Sequence, residues 1–313
     1  MNENYVTLFD RAYMPQGIAL YLSMVRHMKD FTLWILCVDY ETFELFNTLQ
    51  LKNVRLLKSE DFETPELLNL KKKRTKGEYC WTLTPYAPKI VFEANSEIKR
   101  VTYIDADIWF RKNPKAIFEE FEQSEKAILI TDHHYAPEYD QSERSGQFCV
   151  QFIIFKRDVS ELVRQDWENE CTEWCYSRFE NGKFGDQKYL DKWPEKYNNL
   201  VHILGNKELV LAPWNAIRFP YGQSVFFHFH GLRLISDKRM TIGSYRIPQV
   251  VIDNLYKKYM QDIKVSINII KSNGLTITVQ EKSNKIQRLI NKIKYFKTSL
   301  GPFYNGVDIK IPD

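Results

Sequence analysis

Nothing in the 313 residues approaches the run of roughly 18 apolar side chains that a membrane-crossing helix needs, so no span is expected. The opening Met1-Asn2-Glu3-Asn4-Tyr5 has neither the basic nor the apolar stretch of a secretory signal, and a cytoplasmic location is expected. Cysteine is scarce and scattered: Cys37, Cys80, Cys149, Cys171 and Cys175 are odd in number, which argues against a disulfide framework. Cys171 and Cys175 lie one helical turn apart with no second pair to complete a zinc site, so they read as packing thiols. A charge excess is also missing. The net +4 is too mild to point to nucleic acid, and no such partner is expected. Aromatics, by contrast, are abundant, with 20 Phe, 18 Tyr and 7 Trp, and the length suffices for one large domain or a domain with an appendage.

Apolar periodicity gives an alternation of strand and helix. Strands are expected at Tyr5–Phe9, Leu33–Val38, Val54–Leu57, Val101–Ile104, Ala127–Thr131 and Cys149–Phe155. Helices are expected across Gly17–Met28, Glu41–Gln50, Tyr86–Ala94, Ile117–Phe121 and Ser160–Phe179. The charged run Lys71–Lys76 reads as a solvated loop, with a phosphate-attracting patch as the alternative. This order predicts an α/β fold: a mostly parallel, Rossmann-like sheet with helices on both faces, whose ligands sit at the carboxyl ends of the strands. Asp10, Asp39 and Asp105 all fall at such ends.

Asp105 and Asp107 follow the strand Val101–Ile104, with only Ala106 between them. On extended chain the two carboxylates point the same way, and paired hard oxygens suit Mg²⁺ or Mn²⁺ together with a substrate's phosphates. The bland alternative is a strand-to-loop turn in which one Asp caps backbone N–H groups. Farther on, Gly185-Asp186-Gln187 brings the chain round to an expected helix start, with Asp186 read either as its N-cap or as a carboxylate held beside the sheet edge, and with Pro194 as the helix stop. In Ser224–Gly231, alternation puts His228 and His230 on one face, and at least one of the two is expected to be a metal ligand. The long irregular stretch from Asp132 to Gly146 reads as a binding loop or lid. His133 and His134 in it, and Trp214 and Asn215 in the turn after Leu209–Ala212, are candidates for the acceptor side.

Beyond about residue 240 the pattern changes. A helix is expected at Pro248–Tyr259, and Val265–Thr278 mixes apolar runs with turn residues. Lys285–Lys297 carries Ile286, Leu289, Ile290, Ile293 and Phe296 at helical spacing among basic residues, a basic amphipathic helix. Its apolar stripe can pack on the main domain or lie on an anionic membrane surface. Residues 1–240 are therefore expected to form the binding and catalytic domain, and 241–313 a C-terminal extension.

Four motifs in order carry a family resemblance: Phe9-Asp10-x-x-Tyr13, Tyr103-Ile-Asp-Ala-Asp-Ile108, Gly185-Asp-Gln187 and His228-Phe-His-Gly231. Over roughly residues 5–235 the chain resembles the GT-A-fold nucleotide-sugar glycosyltransferases, and among them glycosyltransferase family 8, the group of glycogenin and bacterial lipopolysaccharide sugar transferases. The resemblance implies a metal held on the diphosphate of a UDP-sugar by Asp105, Asp107 and His228, with His230 the alternate. It also implies Asp186 and Gln187 at the anomeric carbon, and Phe9, Asp10 and Tyr13 on the nucleotide with Asp39 nearby. Transfer to a glycan or glycolipid in surface polysaccharide or lipopolysaccharide assembly, with retention at the anomeric carbon, follows from the same likeness. Two departures stand out. The family's Lys-Pro-Trp after His-x-x-Gly is here Leu232-Arg-Leu-Ile235, leaving Arg233 as the stand-in phosphate cation, and its Asn-Ala-Gly strand reads Cys149-Val-Gln151.

Two readings from other classes compete. A phosphate-ester hydrolase also opens with Asp-x-Asp after a strand, but there the pair sits on the first strand and leads into a Thr-containing loop. A non-catalytic sugar-nucleotide-binding protein would keep the fold without needing Asp-x-Asp, Asp-Gln and His together.

Overall fold

The computed structural model describes residues 2–219, 221–243, 245–279, 304 and 308–312. In chain order its strands are β1 (Glu3–Phe9), β2 (Phe31–Cys37), β3 (Val54–Lys58), β4 (Arg100–Ile104), β5 (Ile108–Phe110), β6 (Ile128–Asp132), β7 (Phe148–Lys156), β8 (Val201–Ile203), β9 (Val210–Leu211), β10 (Phe226–His228), β11 (Arg233–Ser236), β12 (Arg239–Thr241) and β13 (Asp308–Lys310). A seven-stranded sheet runs β3-β2-β1-β4-β7-β6-β8, parallel from β3 to β4, with β7 antiparallel to both of its neighbours. The expected mostly parallel α/β architecture is present. Alternate residues of β1 feed opposite cores: Tyr5 and Phe9 join Ile18, Phe46 and Phe118 on one face, while Val6 and Leu8 join Leu83, Val91 and Trp167 on the other. Helices therefore cover both faces, as a sheet buried on both sides requires.

Since β2 and β3 lie to one side of β1 and β4 to the other, the strand order reverses between β1 and β4. A crevice opens at the carboxyl ends of strands at such a reversal. Phe9 closes β1 just below it with its ring packed against Gly17, where a Cβ would come within 2.4 Å of the ring, and edge-on to Phe46. Phe9 is thus core rather than ligand wall.

Five local expectations are corrected. Lys71–Lys73 are the last turn of helix Pro65–Lys73, and Lys76 opens helix Lys76–Leu83. Between them Arg74 is buried, donating to the carbonyls of Cys171 and Thr172, so a distant strip of backbone and not solvent takes its charge. The helix expected to reach Phe179 spans Glu161–Glu173 and ends at Trp174, whose backbone is extended. Asp186 is no N-cap: Gln187 precedes a 3₁₀ turn at Lys188–Lys192, and Pro194 sits in the first turn of helix Trp193–Lys196, where its missing N–H costs nothing. Val265 to Ser272 is helical, in a helix Lys257–Ser272 that continues Gln249–Val251 through a π turn at Ile252–Tyr256. Finally, Asp105 to Asp107 is a turn, not extended chain, closed by Ile108 N–H on the Asp105 carbonyl at 3.2 Å. The basic segment 285–297 lies outside the described residues.

Helix Lys257–Ser272 packs into the cluster behind β5 and β10, where the Tyr259 ring stacks on Phe229 with centroids 3.9 Å apart. Its Asp262 accepts from the indole N–H of Trp109 at 2.7 Å and from the guanidinium of Arg26 at 2.8 Å. That carboxylate fastens the strand just after Asp107 to helix Lys257–Ser272. No described helix is long and apolar enough to cross a membrane.

Candidate active site

Three elements build the site at the strand-order reversal. The β4–β5 turn supplies Asp105 and Asp107. Antiparallel pairing of β10 with β5 sets His228 opposite Ile108, and Phe229 N–H donates to the Asp107 carbonyl at 2.9 Å, locking that register. Strand β7 runs on past the end of β4, and at the first residue beyond it Asp105 N–H donates to the Gln151 carbonyl at 3.1 Å. Asp105, Asp107 and His228 thereby converge, each offering one ligand atom within 4.8 Å of the others. The imidazole Nε2 lies 3.0 Å from Asp107 Oδ1 and 3.6 Å from Asp105 Oδ2. His230 lies past the end of β10, exposed and outside that cluster.

Gln151 settles the orientation of His228. The Nδ1 of the ring is 2.9 Å from the Gln151 carboxamide oxygen, an acceptor only, so Nδ1 carries a proton and Nε2 faces the carboxylates. A neutral Nε2 lone pair aimed at two carboxylates is a mutually repulsive arrangement unless a proton or a cation stands between them. Two carboxylates and one imidazole are a donor set for a divalent cation, and the cluster can hold one.

Electrostatics tell the same story. At Asp105, burial and the charge of Asp107 raise the pKa to about 6. At Asp107 burial pushes the same way, but His228 and then Arg233 outweigh it and hold the carboxyl well below its usual range. Burial disfavours the charged His228, yet Asp107 outweighs it and its pKa is raised. Arg233 approaches Asp107 at 3.7 Å and lies over the Tyr13 ring at 4.5 Å, so a cation and an aromatic face from opposite ends of the sequence meet here.

Asp186 is buried close by. Desolvation, and after it the charge of Asp105, raises its pKa to about 7, against hydrogen bonds from the Thr84 hydroxyl and from backbone N–H groups. The Trp167 indole, held by the Asp186 carbonyl at 2.8 Å, fixes this stretch of chain. A carboxyl whose folded pKa is raised gives stability that is complete below its unfolded value near 3.8 and is lost as pH climbs through about 7. Asp186→Asn removes that cost. In chelator at pH 8 the variant is expected to melt above the wild type, by an amount on the order of a few kcal/mol or less, and the gap should close by pH 4. Calorimetric melting at the two pH values checks this, and a gap independent of pH would refute it. Gln187 spends its carboxamide N–H on the Ser145 carbonyl at 2.8 Å, pinning the long loop against this segment.

Other residues singled out from sequence fall in differing places. Asp10, buried, accepts from Ala12 N–H through one oxygen at 2.9 Å and keeps Lys76 4.0 Å from the other. Asp39 is farther along the edge and fully occupied, with one oxygen capping helix Tyr40–Leu49 at Thr42 and the other taking Arg11 N–H at 2.9 Å. Asn215 is equally committed, to Ala212 N–H and the His133 carbonyl. His133 is buried and stacked on Tyr135, while Trp214 stands edge-on to His228 with centroids 5.4 Å apart. His134 pairs with Asp132 at 3.4 Å. Three participants escaped the sequence reading. Tyr103, two residues before Asp105, donates to it at 3.0 Å, and the i, i+2 spacing was a usable signal. Gln151 stood out only as a departure from a motif, and Thr84 carried no signal at all.

No family model matches the chain. It is 31% identical over 261 residues to the uncharacterized protein YfnF of Bacillus subtilis (strain 168), covering 75% of this chain and 84% of YfnF. It is also 29% identical over 287 residues to the uncharacterized protein YfnD of the same strain, covering 86% and 91%. Among solved structures, mouse xyloside xylosyltransferase 1 in its apo form superposes with a TM-score of 0.51 at 14% identity, covering 74% of this chain and 98% of that one. The apo-form glycosyltransferase GlyE of Streptococcus pneumoniae TIGR4 gives 0.52 at 13% identity, covering 90% and 66%. The fold is therefore the GT-A type seen in glycosyltransferases.

Proposed function

The chain belongs to one protein family with YfnF, and from its GT-A fold and the cluster of Asp105, Asp107 and His228 we propose that it is a metal-dependent glycosyltransferase. In this reading it moves a sugar from a nucleoside diphosphate, a UDP-sugar, to a glycan or glycolipid acceptor, with retention, in surface polysaccharide or lipopolysaccharide assembly. The single observation that carries it is the convergence of Asp105, Asp107 and a His228 whose Nε2 is turned toward them by Gln151.

Asp105, Asp107 and His228 would hold Mn²⁺ or Mg²⁺. Such a cation supplies charge stabilisation to a leaving diphosphate and a template for its oxygens. Arg233, anchored over Tyr13, adds a fixed positive charge on the same side and takes the place of the lysine that the family pattern has. The Asp10 oxygen that faces Lys76 at 4.0 Å and the Tyr13 ring would suit a base, one as acceptor and the other as stacking face. Asp186, buried beside Asp105, would steady an electron-poor anomeric carbon once its carboxyl ionises. Gln187 holds the loop that flanks it. A hydrolase opening on Asp-x-Asp would carry the pair after its first strand, whereas here it follows β4. The sequence of residues 285–297 supports contact with an anionic membrane from the cytoplasmic side.

Thermal melting with a panel of UDP- and GDP-sugars, with and without Mn²⁺, tests the donor class. A UDP-sugar is expected to raise the midpoint only when Mn²⁺ is present. Equal protection without metal, or protection by no nucleotide sugar, would count against the reading.

A further inference from the structure

From behind the carboxylate cluster, helix Lys257–Ser272 brings up a buried phenol. Tyr259 is fully buried, with its ring flat on Phe229 and edge-on to Trp109 at 6.3 Å between centroids. Those two rings belong to the segments that carry the site: Phe229 follows His228, and Trp109 lies two residues after Asp107. Yet the Tyr259 hydroxyl, buried with its ring, has no hydrogen-bond partner among the described residues. Leaving such a group unpaired is costly, and in a native fold it calls for an explanation.

Its surroundings supply one. Of the charged groups acting on the phenol Asp107 is the strongest, followed by Asp262 and Arg233. Burial, and then the two carboxylates, push its pKa up, so the hydroxyl keeps its proton and stays a donor. Asp262 is already spent, because its oxygens take the Arg26 guanidinium and the Trp109 indole N–H. Asp107 is not. Its Oδ1 faces His228 Nε2 at 3.0 Å, whereas Oδ2 has Arg233 standing off at 3.7 Å, too far for a hydrogen bond. An idle buried donor thus lies near a carboxylate with an idle acceptor.

We propose that Tyr259 is a positioning residue for the metal site, its hydroxyl donating to Asp107 Oδ2 once a divalent cation is bound. This rests on reading Asp105, Asp107 and His228 as a cation site, and not on which sugar is transferred. Binding a cation takes Asp107 Oδ1 off the imidazole, and the carboxylate is then free to turn about its Cβ–Cγ bond toward the hydroxyl. Ligating carboxylates are themselves hydrogen-bonded as a rule, and such partners tune metal affinity. The region beyond residue 240, which reads in sequence as an extension, would thereby supply a group to the site.

Tyr259→Phe isolates the hydroxyl, because the ring contacts with Phe229 and Trp109 need no oxygen. Tyr256→Phe is the control: its buried ring meets the same Phe229, at 4.9 Å, but neither cluster carboxylate acts on its phenol. Each protein is titrated with Mn²⁺, with and without UDP, by electron paramagnetic resonance of the free ion. Each is also melted in chelator and in one fixed excess of Mn²⁺. Tyr259→Phe is expected to weaken Mn²⁺ binding at least about tenfold, while Tyr256→Phe stays within about twofold of wild type. In chelator Tyr259→Phe should melt at or above wild type, having lost an unpaired polar group, whereas Mn²⁺ should raise the wild-type midpoint more. A packing role would shift both conditions alike. Unchanged Mn²⁺ affinity in Tyr259→Phe, an equal loss in Tyr256→Phe, or an equal rise in midpoint would overturn the proposal. Wild type that binds no Mn²⁺, with or without UDP, would overturn the cation site and this proposal with it. Mn²⁺ binding that Tyr259→Phe weakens, in a protein that no nucleotide sugar protects, would support the role of Tyr259 and count against the glycosyltransferase reading alone.

Discussion

Replacing both turn carboxylates, Asp105→Asn with Asp107→Asn, is expected to weaken Mn²⁺-dependent UDP binding by at least about a hundredfold, roughly 3 kcal/mol. The amides keep the shape of the β4–β5 turn, because its closing bond runs between the Ile108 N–H and the Asp105 carbonyl and involves no side chain. What disappears is charge. A neutral amide oxygen is a poor ligand for a divalent cation beside an anionic diphosphate, and His228 alone cannot replace two carboxylates. Binding of UDP without metal should change little, since Tyr13 and Asp10 lie on other elements. Calorimetry of UDP with Mn²⁺ and with chelator separates the two contributions. Full retention of the metal-dependent part would place the cation elsewhere.

The second large effect is expected at Gln151, which touches no ligand directly. Its carboxamide oxygen fixes His228 with the proton on Nδ1. With Gln151→Leu that proton loses its buried acceptor, the ring is free to adopt the other tautomer, and Nε2 then presents a proton to the site where a lone pair is needed. Removal of such a supporting partner typically costs about 10–100-fold in metal affinity, and that range is expected here. Gln151→Glu provides the contrast, because a carboxylate accepts from Nδ1–H at least as well. It should hold Mn²⁺ within a few-fold of wild type, as measured by electron paramagnetic resonance titration of free Mn²⁺. A merely packing role for Gln151 predicts the reverse order, since Leu suits an apolar neighbourhood better than a buried Glu.

How these residues were legible differs from case to case. The helix Tyr86–Ala94 was readable to the residue, and β1, β2, β4 and β7 nearly so, because each is a local apolar pattern bounded by polar residues. Asp10 and Asp39 looked alike in sequence, both ending a strand. Only the fold separates them, through Thr42 and Arg11, which occupy both oxygens of Asp39. The charged run at Lys71–Lys76 misled because the partners of Arg74 lie about a hundred residues away, at Cys171 and Thr172, and composition carries no trace of them. For the same reason Gln151 registered only as a departure from a motif: its partner, 77 residues on, meets it across two different sheets. The carboxylate pair was found for a partly mistaken reason. Alternation on an extended chain was expected to align Asp105 and Asp107, whereas a turn and the pairing of β10 with β5 bring them together with His228. That geometry also separates the two histidines that strand alternation had left equivalent, with His228 inside the cluster and His230 on the aromatic side.

The central claim is that this cluster serves transfer of a sugar from a nucleoside diphosphate. Release of UDP from a panel of UDP-sugars by the wild-type protein, followed with Mn²⁺ and again after chelation, tests it most directly. Slow release from at least one donor, abolished by chelation and restored by added Mn²⁺, is the expected result. Release unaffected by chelation, or none from any donor while UDP still binds with Mn²⁺, would contradict it.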